Sequence, residues 1–195
     1  MPNWCTNKLT VTAKDNKSLK KFVNTVETED NELDFRTTVP LPDGAEVDAQ
    51  YRLWSTKWGA SDTHREEGLT LSHTDKTIRR AVCYHYQTAW SPAEKWLVKT
   101  AKQFPNLRFT VEYHEPGMDY AGVMQVQGGI LISFEEVKEL NDFVKSNFSK
   151  SEQEEYDSIN DEDDAFDFIC ETTDAVLERE FYCQVKQSEE WREIK

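Results

Sequence analysis

The sequence predicts an α+β sandwich: an antiparallel sheet with helices on one face, followed by an acidic, mostly helical C-terminal extension. Three observations predict it. Segments of strict polar–apolar alternation share the chain with segments whose apolar residues recur three and four apart. A Gly128-Gly129 pair separates the last two alternating segments, as a two-residue hairpin requires. Charge is unevenly divided: the first 134 residues carry a net −1, whereas Glu135 to Lys195 hold 20 acids and 7 bases, a net −13.

In residues 7–13, Leu9, Val11 and Ala13 point one way and Lys8, Thr10 and Thr12 the other, which reads as a half-buried strand. Asp15 to Ser18 offer helix N-caps, and Leu19, Phe22, Val23 and Val26 form one apolar stripe behind them. Residues 27–34 read as loop, and Val39 to Gly44 as an extended piece ending in a turn. Residues 50–60 are dense in aromatics, residues 61–68 read as polar loop, and extended segments follow at 69–72 and 78–87. In the second of these, Val82, Tyr84 and Tyr86 share one face and Ala81, Cys83 and His85 the other, as in a strand inside a sheet.

Ser91, Pro92 and Glu94 make a helix start with a capping box, and Ala93, Trp96, Leu97, Thr100, Ala101 and Phe104 continue the stripe to Pro105. Leu107, Phe109, Val111 and Tyr113 alternate with Arg108, Thr110 and Glu112. A loop at 114–119 leads to strands at about 120–127 and 130–134. The order is β-α-β-β-α-β, a ferredoxin-like layout over residues 1–134 with an insertion at about 35–75. Both helices cover one sheet face in this layout and leave the other for an insertion or a partner. In the extension, 135–195, Ser133 to Glu136 form a second capping box, opening a helix with Val137, Leu140, Val144 and Phe148 on one face. Residues 149–164 read as a linker or mobile loop. A final helix over 165–182 carries Phe166, Ile169, Cys170, Thr173, Val176 and Leu177, with Phe181, Tyr182, Cys183 and Trp191 continuing it or packing separately.

Composition excludes several classes. Six Trp, ten Phe and seven Tyr argue against wholesale disorder. No apolar run is long enough for a transmembrane helix, and Met1 to Cys5 show no basic or apolar leader, so the reading predicts a cytoplasmic protein without membrane contact. The 37 acids against 23 bases repel phosphate backbones, so direct nucleic-acid binding is not expected; a partner with a basic or nucleic-acid-binding surface is favoured. Cys5, Cys83, Cys170 and Cys183 form no C-x-x-C pair, and His64, His73, His85 and His114 form no H-x-x-x-H or H-E-x-x-H pattern. The expectation is four reduced, buried thiols, no metal centre and no cofactor. No catalytic triad, phosphate loop or dinucleotide fingerprint is present, which favours a non-catalytic protein over an enzyme.

Three groups of residues are candidate sites. Trp54, Trp58 and Trp90, with Lys57, Thr88 and Ser91 beside them, form either a stacking platform for a base with Lys57 on a phosphate, or a wedge that packs the insertion onto the sheet. Glu115 and Asp119 flank Pro116-Gly117 as paired carboxylates or as a turn with Asp119 capping it. Glu152, Glu154, Glu155, Asp157, Asp161, Glu162, Asp163, Asp164 and Asp167 either imitate the phosphate spacing of nucleic acid or form a solvated face.

Four segments together resemble a known family: Pro2-Asn3-Trp4-Cys5 with Asn7 to Val11, Trp54 to Ala60, Thr88 to Pro92, and Tyr113 to Gly122. Their order resembles the phage- and plasmid-borne ferredoxin-like domain family of unknown function, first noted in a bacteriophage of an aphid endosymbiont. The resemblance covers roughly residues 1–134 and leaves the acidic region outside. Ser55 stands where that family usually has glycine, and Ala93 where a second proline is common. The resemblance implies a mobile-element protein of the bacterial cytoplasm and no reaction. The leading expectation is therefore a non-catalytic interaction protein whose acids inhibit a host defence or nucleic-acid-handling protein. A nucleotide-binding protein using the aromatic cluster is the alternative, and a homodimer through the open sheet face is a third.

Overall fold

The computed structural model describes residues 3–45, 47–66, 70–72 and 78–187. The chain divides into two compact units: Met1–Glu115 with Val123–Phe134, and Pro116–Gly122 with Glu135–Lys195. Its strands are β1 (Trp4–Ala13), β2 (Ser61–Glu66), β3 (Thr70–Ser72), β4 (Ile78–Ala89), β5 (Leu107–Glu115), β6 (Tyr120–Gln127) and β7 (Ile130–Lys138). The sheet runs β2-β4-β1-β5-β6-β7, with β3 also paired to β4. β1 is central and pairs antiparallel with β4 on one side and β5 on the other. The β2-β4-β1-β5 portion is the ferredoxin-like arrangement that the element order predicts. β6 and β7 extend it through a turn in which Gly128 and Gly129 both have positive φ, 60° and 81°.

In the first unit, alternation along β1 buries Cys5, Asn7, Leu9, Val11 and Ala13. The register sets Tyr86, Tyr84 and Val82 beside them on β4, and Tyr113, Val111, Phe109 and Leu107 on β5. All of these are buried. Helix α1 (Asn16–Val26) starts at Asp15, whose carboxylate accepts the Ser18 N–H at 2.7 Å. It buries Leu19, Phe22 and Val26. Phe22 meets Tyr84, Phe104 and Phe109 edge-on at 5.3–6.1 Å. Its full burial stabilises the fold by roughly 2–3 kcal/mol. Between α1 and β2 lie a 3-10 turn at Phe35–Thr37 and helix α2 (Val47–Trp54). Helix α3 (Glu94–Gln103) buries the expected stripe, and Trp96 stacks on Phe35 with ring centroids 4.1 Å apart. The Trp96 N–H donates to Thr38 Oγ1 at 2.9 Å, so the indole brings no unsatisfied polar group into the core.

Three expectations are corrected here. Residues 61–66, read as polar loop, form strand β2. Ser-Asp-Thr-His-Arg-Glu has no apolar alternation because this is an edge strand, and edges are commonly polar. Pairing with β4 organises it, helped by Thr63 Oγ1 on Asn31 Oδ1 (2.6 Å) and an Arg65–Glu27 ion pair (2.5 Å). The 35–75 stretch thus adds a second strand to the sheet beside the one expected at 69–72. Ser91 does not cap α3: the helix begins at Glu94 behind Ala93, and the Ser91 hydroxyl is used elsewhere. The 133–136 capping box opens no helix, because β7 stays extended to Lys138. Ladder pairing outweighs a local capping signal there.

The second unit is mainly helical: α4 (Leu140–Ser146), α5 (Lys150–Tyr156), α6 (Glu162–Leu177), a π-helical turn at Glu178–Tyr182 and α7 (Cys183–Gln187). Glu139, with φ of 57°, turns the chain from β7 into α4. The expected linker at 149–164 contains α5 and the start of α6, a further correction. Ser149 and Glu152 form a reciprocal capping box, and Phe148, Tyr156 and Phe168 pack their rings 5.4–6.2 Å apart. Those aromatics hold α5 to α6 within an otherwise polar stretch. The α6 stripe buries Ile169, Thr173, Val176 and Leu177, whereas Phe166 is exposed. Trp191 and His73 lie outside the described residues, as does the 67–69 segment.

Candidate functional site

The aromatic motifs separate into two groups. Trp54 is buried, and its indole N–H donates to the Val39 carbonyl at 2.9 Å, so it packs the α2 segment onto the body. The neighbouring polar residues lock the motifs together. Thr56 Oγ1 donates to the Ala89 carbonyl (2.9 Å), Ser91 Oγ to the Ser55 carbonyl (2.6 Å) and Thr88 Oγ1 to the Ser91 carbonyl (2.9 Å). Asn7 Nδ2 donates to Thr88 Oγ1 (2.9 Å) and to the Cys5 carbonyl (2.8 Å). Segments 3–7, 54–56 and 88–91 thus form one hydrogen-bonded clamp around the buried Asn7, Thr56 and Thr88. Trp90, with φ of 71°, is half-buried, and its backbone N–H donates to the Asn3 carbonyl at 3.0 Å.

Trp58 belongs to the second group. It and Trp4 are each 37% exposed, with ring centroids 5.9 Å apart, and Lys57 Nζ sits 4.9 Å from the Trp58 centroid. Of the predicted platform, Lys57 and Trp58 therefore stand at the surface beside Trp4, and Trp54 does not.

Glu115 ends β5 and is buried. Asp119 has φ of 61°, and its carboxylate accepts the Asn141 N–H at 2.7 Å while its carbonyl accepts the Leu140 N–H at 3.2 Å. Asp119 is the cap of α4 that the local sequence lacks, and the unit boundary falls between it and Glu115.

The nine acids of the extension occupy α5, the following turn and the first turns of α6. Eight are exposed; Glu152 is half-buried. The Ser149 backbone N–H, together with the Arg179 guanidinium at 3.2 Å, holds the Glu152 carboxyl below its usual pKa despite partial burial. Asp161 Oδ1 accepts the N–H groups of Asp163 (2.9 Å) and Asp164 (3.3 Å), which caps α6. Lys150 pairs with Glu154 at 3.6 Å.

Sequence reasoning missed one further cluster. The strands place Glu66 directly across from Cys83, with His85 two residues along β4 on the same face. His85 Nε2 lies 2.5 Å from Glu66 Oε1 and 3.8 Å from Cys83 Sγ. Burial, with the nearby Glu66 charge, pushes the Cys83 thiol up to about 11. Spacing motifs cannot reveal this cluster, because register rather than sequence separation brings Glu66 to the other two. None of the four cysteines is in a disulfide; Cys5 and Cys83 are buried, whereas Cys170 and Cys183, expected to be buried, are half-buried.

Residues 54–168 match the family model described as the ferredoxin-like domain in Api92-like protein. The match begins at Trp54 and continues into the acidic region, whereas the resemblance read from sequence covers 1–134 and stops before it. Among solved structures, that of protein api92 from Yersinia pseudotuberculosis is similar, with 13% identity over 48% of this chain and a TM-score of 0.38. The aligned part spans 31% of that protein's length. No curated protein matches. No helix among the described residues is long and apolar enough to cross a membrane.

Proposed function

Because the chain belongs to the family of ferredoxin-like domains in Api92-like proteins, we propose that it is a non-catalytic interaction protein of a mobile element. It acts in the bacterial cytoplasm on a host protein that handles nucleic acid. The observation that carries this reading is the exposure of eight carboxylates along α5 and the start of α6, on a packed helical unit rather than a loose tail. A fixed array of carboxylates matches a basic groove with less ordering cost than a flexible one. Such association is steered by charge and screened by salt over ~8–10 Å at physiological ionic strength.

The test replaces Asp161 and Asp163, Asp164 with Asn and Glu162 with Gln together. Asn still caps a helix, so the melting temperature stays near wild type. The wild-type chain is expected to capture a nucleic-acid-binding protein from a bacterial lysate at low salt, release it at high salt, and compete with nucleic acid for it. The substituted chain is expected to capture none. Equal capture by both chains overturns the reading.

The half-exposed Trp4–Trp58 pair with Lys57 over the ring supports a second reading, a platform for a nucleobase with Lys57 on a phosphate. It predicts quenching of tryptophan fluorescence by nucleotides and loss of that signal in Lys57→Ala.

A further inference from the structure

We propose that Glu66, Cys83 and His85 form a divalent-cation site of the zinc class, on the sheet face opposite the one carrying Leu9, Tyr84 and Phe109. Their donor atoms, a carboxylate oxygen, a thiol sulfur and an imidazole nitrogen, all lie within 4.8 Å of one another. The backbones beneath them are fixed by the β2–β4 ladder, so the site is arranged before an ion arrives.

The geometry is close to what zinc needs. A tetrahedral ion with sulfur at ~2.3 Å and nitrogen or oxygen at ~2.0–2.1 Å spaces its ligands roughly 3.3–3.6 Å apart. The Cys83 sulfur and His85 nitrogen are 3.8 Å apart. The Glu66–His85 pair, hydrogen-bonded at 2.5 Å, must open by about 1 Å on that ligand spacing, as the Glu66 oxygen, within 4.8 Å of the Cys83 sulfur, swings into its ligand position. Both side chains are more than a third exposed and free to turn that far. Binding breaks the Cys83 S–H bond, forms a sulfur–metal bond and sends the proton to solvent. The donor set selects zinc or cobalt over magnesium or calcium, which take all-oxygen shells. Three protein ligands leave a fourth position for water.

The test titrates cobalt(II) into the chelator-treated full chain and reads the thiolate-to-cobalt charge-transfer absorbance. The expected result is one equivalent bound with that band present, and competition by zinc that raises the melting temperature. Cys83→Ser removes the band, while Cys170→Ser and Cys183→Ser retain it. As Cys83 is buried, Glu66→Gln and His85→Gln serve as folded controls by circular dichroism, each weakening binding by at least about tenfold. No charge-transfer band in the wild type, or a band of unchanged affinity in both of those variants, overturns the proposal and leaves an ordinary histidine–carboxylate pair.

Discussion

The Ser91 hydroxyl donates to the Ser55 carbonyl at 2.6 Å, tying the turn after β4 to the end of α2. Two short motifs 36 residues apart thereby become one structural unit. Ser91→Ala leaves that carbonyl without this donor, and the expected loss is about 1 kcal/mol. Thermal unfolding checks it; the midpoint should fall by about 2–4 °C. An unchanged midpoint removes the clamp from the account of stability.

Ser55 itself carries φ of 71° as α2 ends, where its N–H reaches the Tyr51 carbonyl at 3.1 Å. A residue with a Cβ is strained in that conformation by roughly 1–2 kcal/mol, whereas glycine is not. This explains why glycine suits the position. Ser55→Gly is expected to raise stability by about 1 kcal/mol in urea unfolding, the sign opposite to most substitutions. Destabilisation would show that the serine side chain outweighs the backbone strain.

Asp119 caps α4 from a distant part of the sequence. Asp119→Ala should cost about 1 kcal/mol, and Asp119→Asn much less, since an amide oxygen still accepts the Asn141 N–H. Chemical denaturation of the three chains distinguishes a cap from a carboxylate needed for its charge. Equal losses in both variants would contradict the capping role.

Glu152 has its carboxyl held below the ordinary 4.5 by the Ser149 backbone N–H and by Arg179. Its folded pKa is depressed, so its contribution is present above about 4.5 and lost as pH falls through the lower folded value. Glu152→Gln should therefore melt below wild type at pH 7, with the gap closing under acid conditions. A gap that persists at low pH would mean the carboxylate charge is not the cause.

Much of the first unit was legible in the sequence because its signals are local. The alternation of Leu9, Val11 and Ala13 and of Leu107, Phe109 and Val111 reports which face is buried, whatever the neighbours are. The Leu19–Phe22–Val26 and Trp96–Leu97–Thr100 stripes do the same for α1 and α3, and the Gly-Gly pair for the β6–β7 turn. The Ser149–Glu152 capping box was equally local, but the polar residues around it masked α5.

What the sequence determined by itself is therefore the α+β class, the order of the principal strands and helices, and the concentration of carboxylates after Glu135. Tertiary structure decided the rest. Strand β2 exists because β4 offers a ladder to six polar residues, and β7 runs to Lys138 although a helix signal begins at Ser133. Asp119 caps a helix more than 20 residues away, and Glu66 meets Cys83 and His85 only through strand register. The physical reason is common to all four. Hydrogen-bond pairing and register act between residues far apart in the chain, and their energies exceed the local preferences that a linear pattern records.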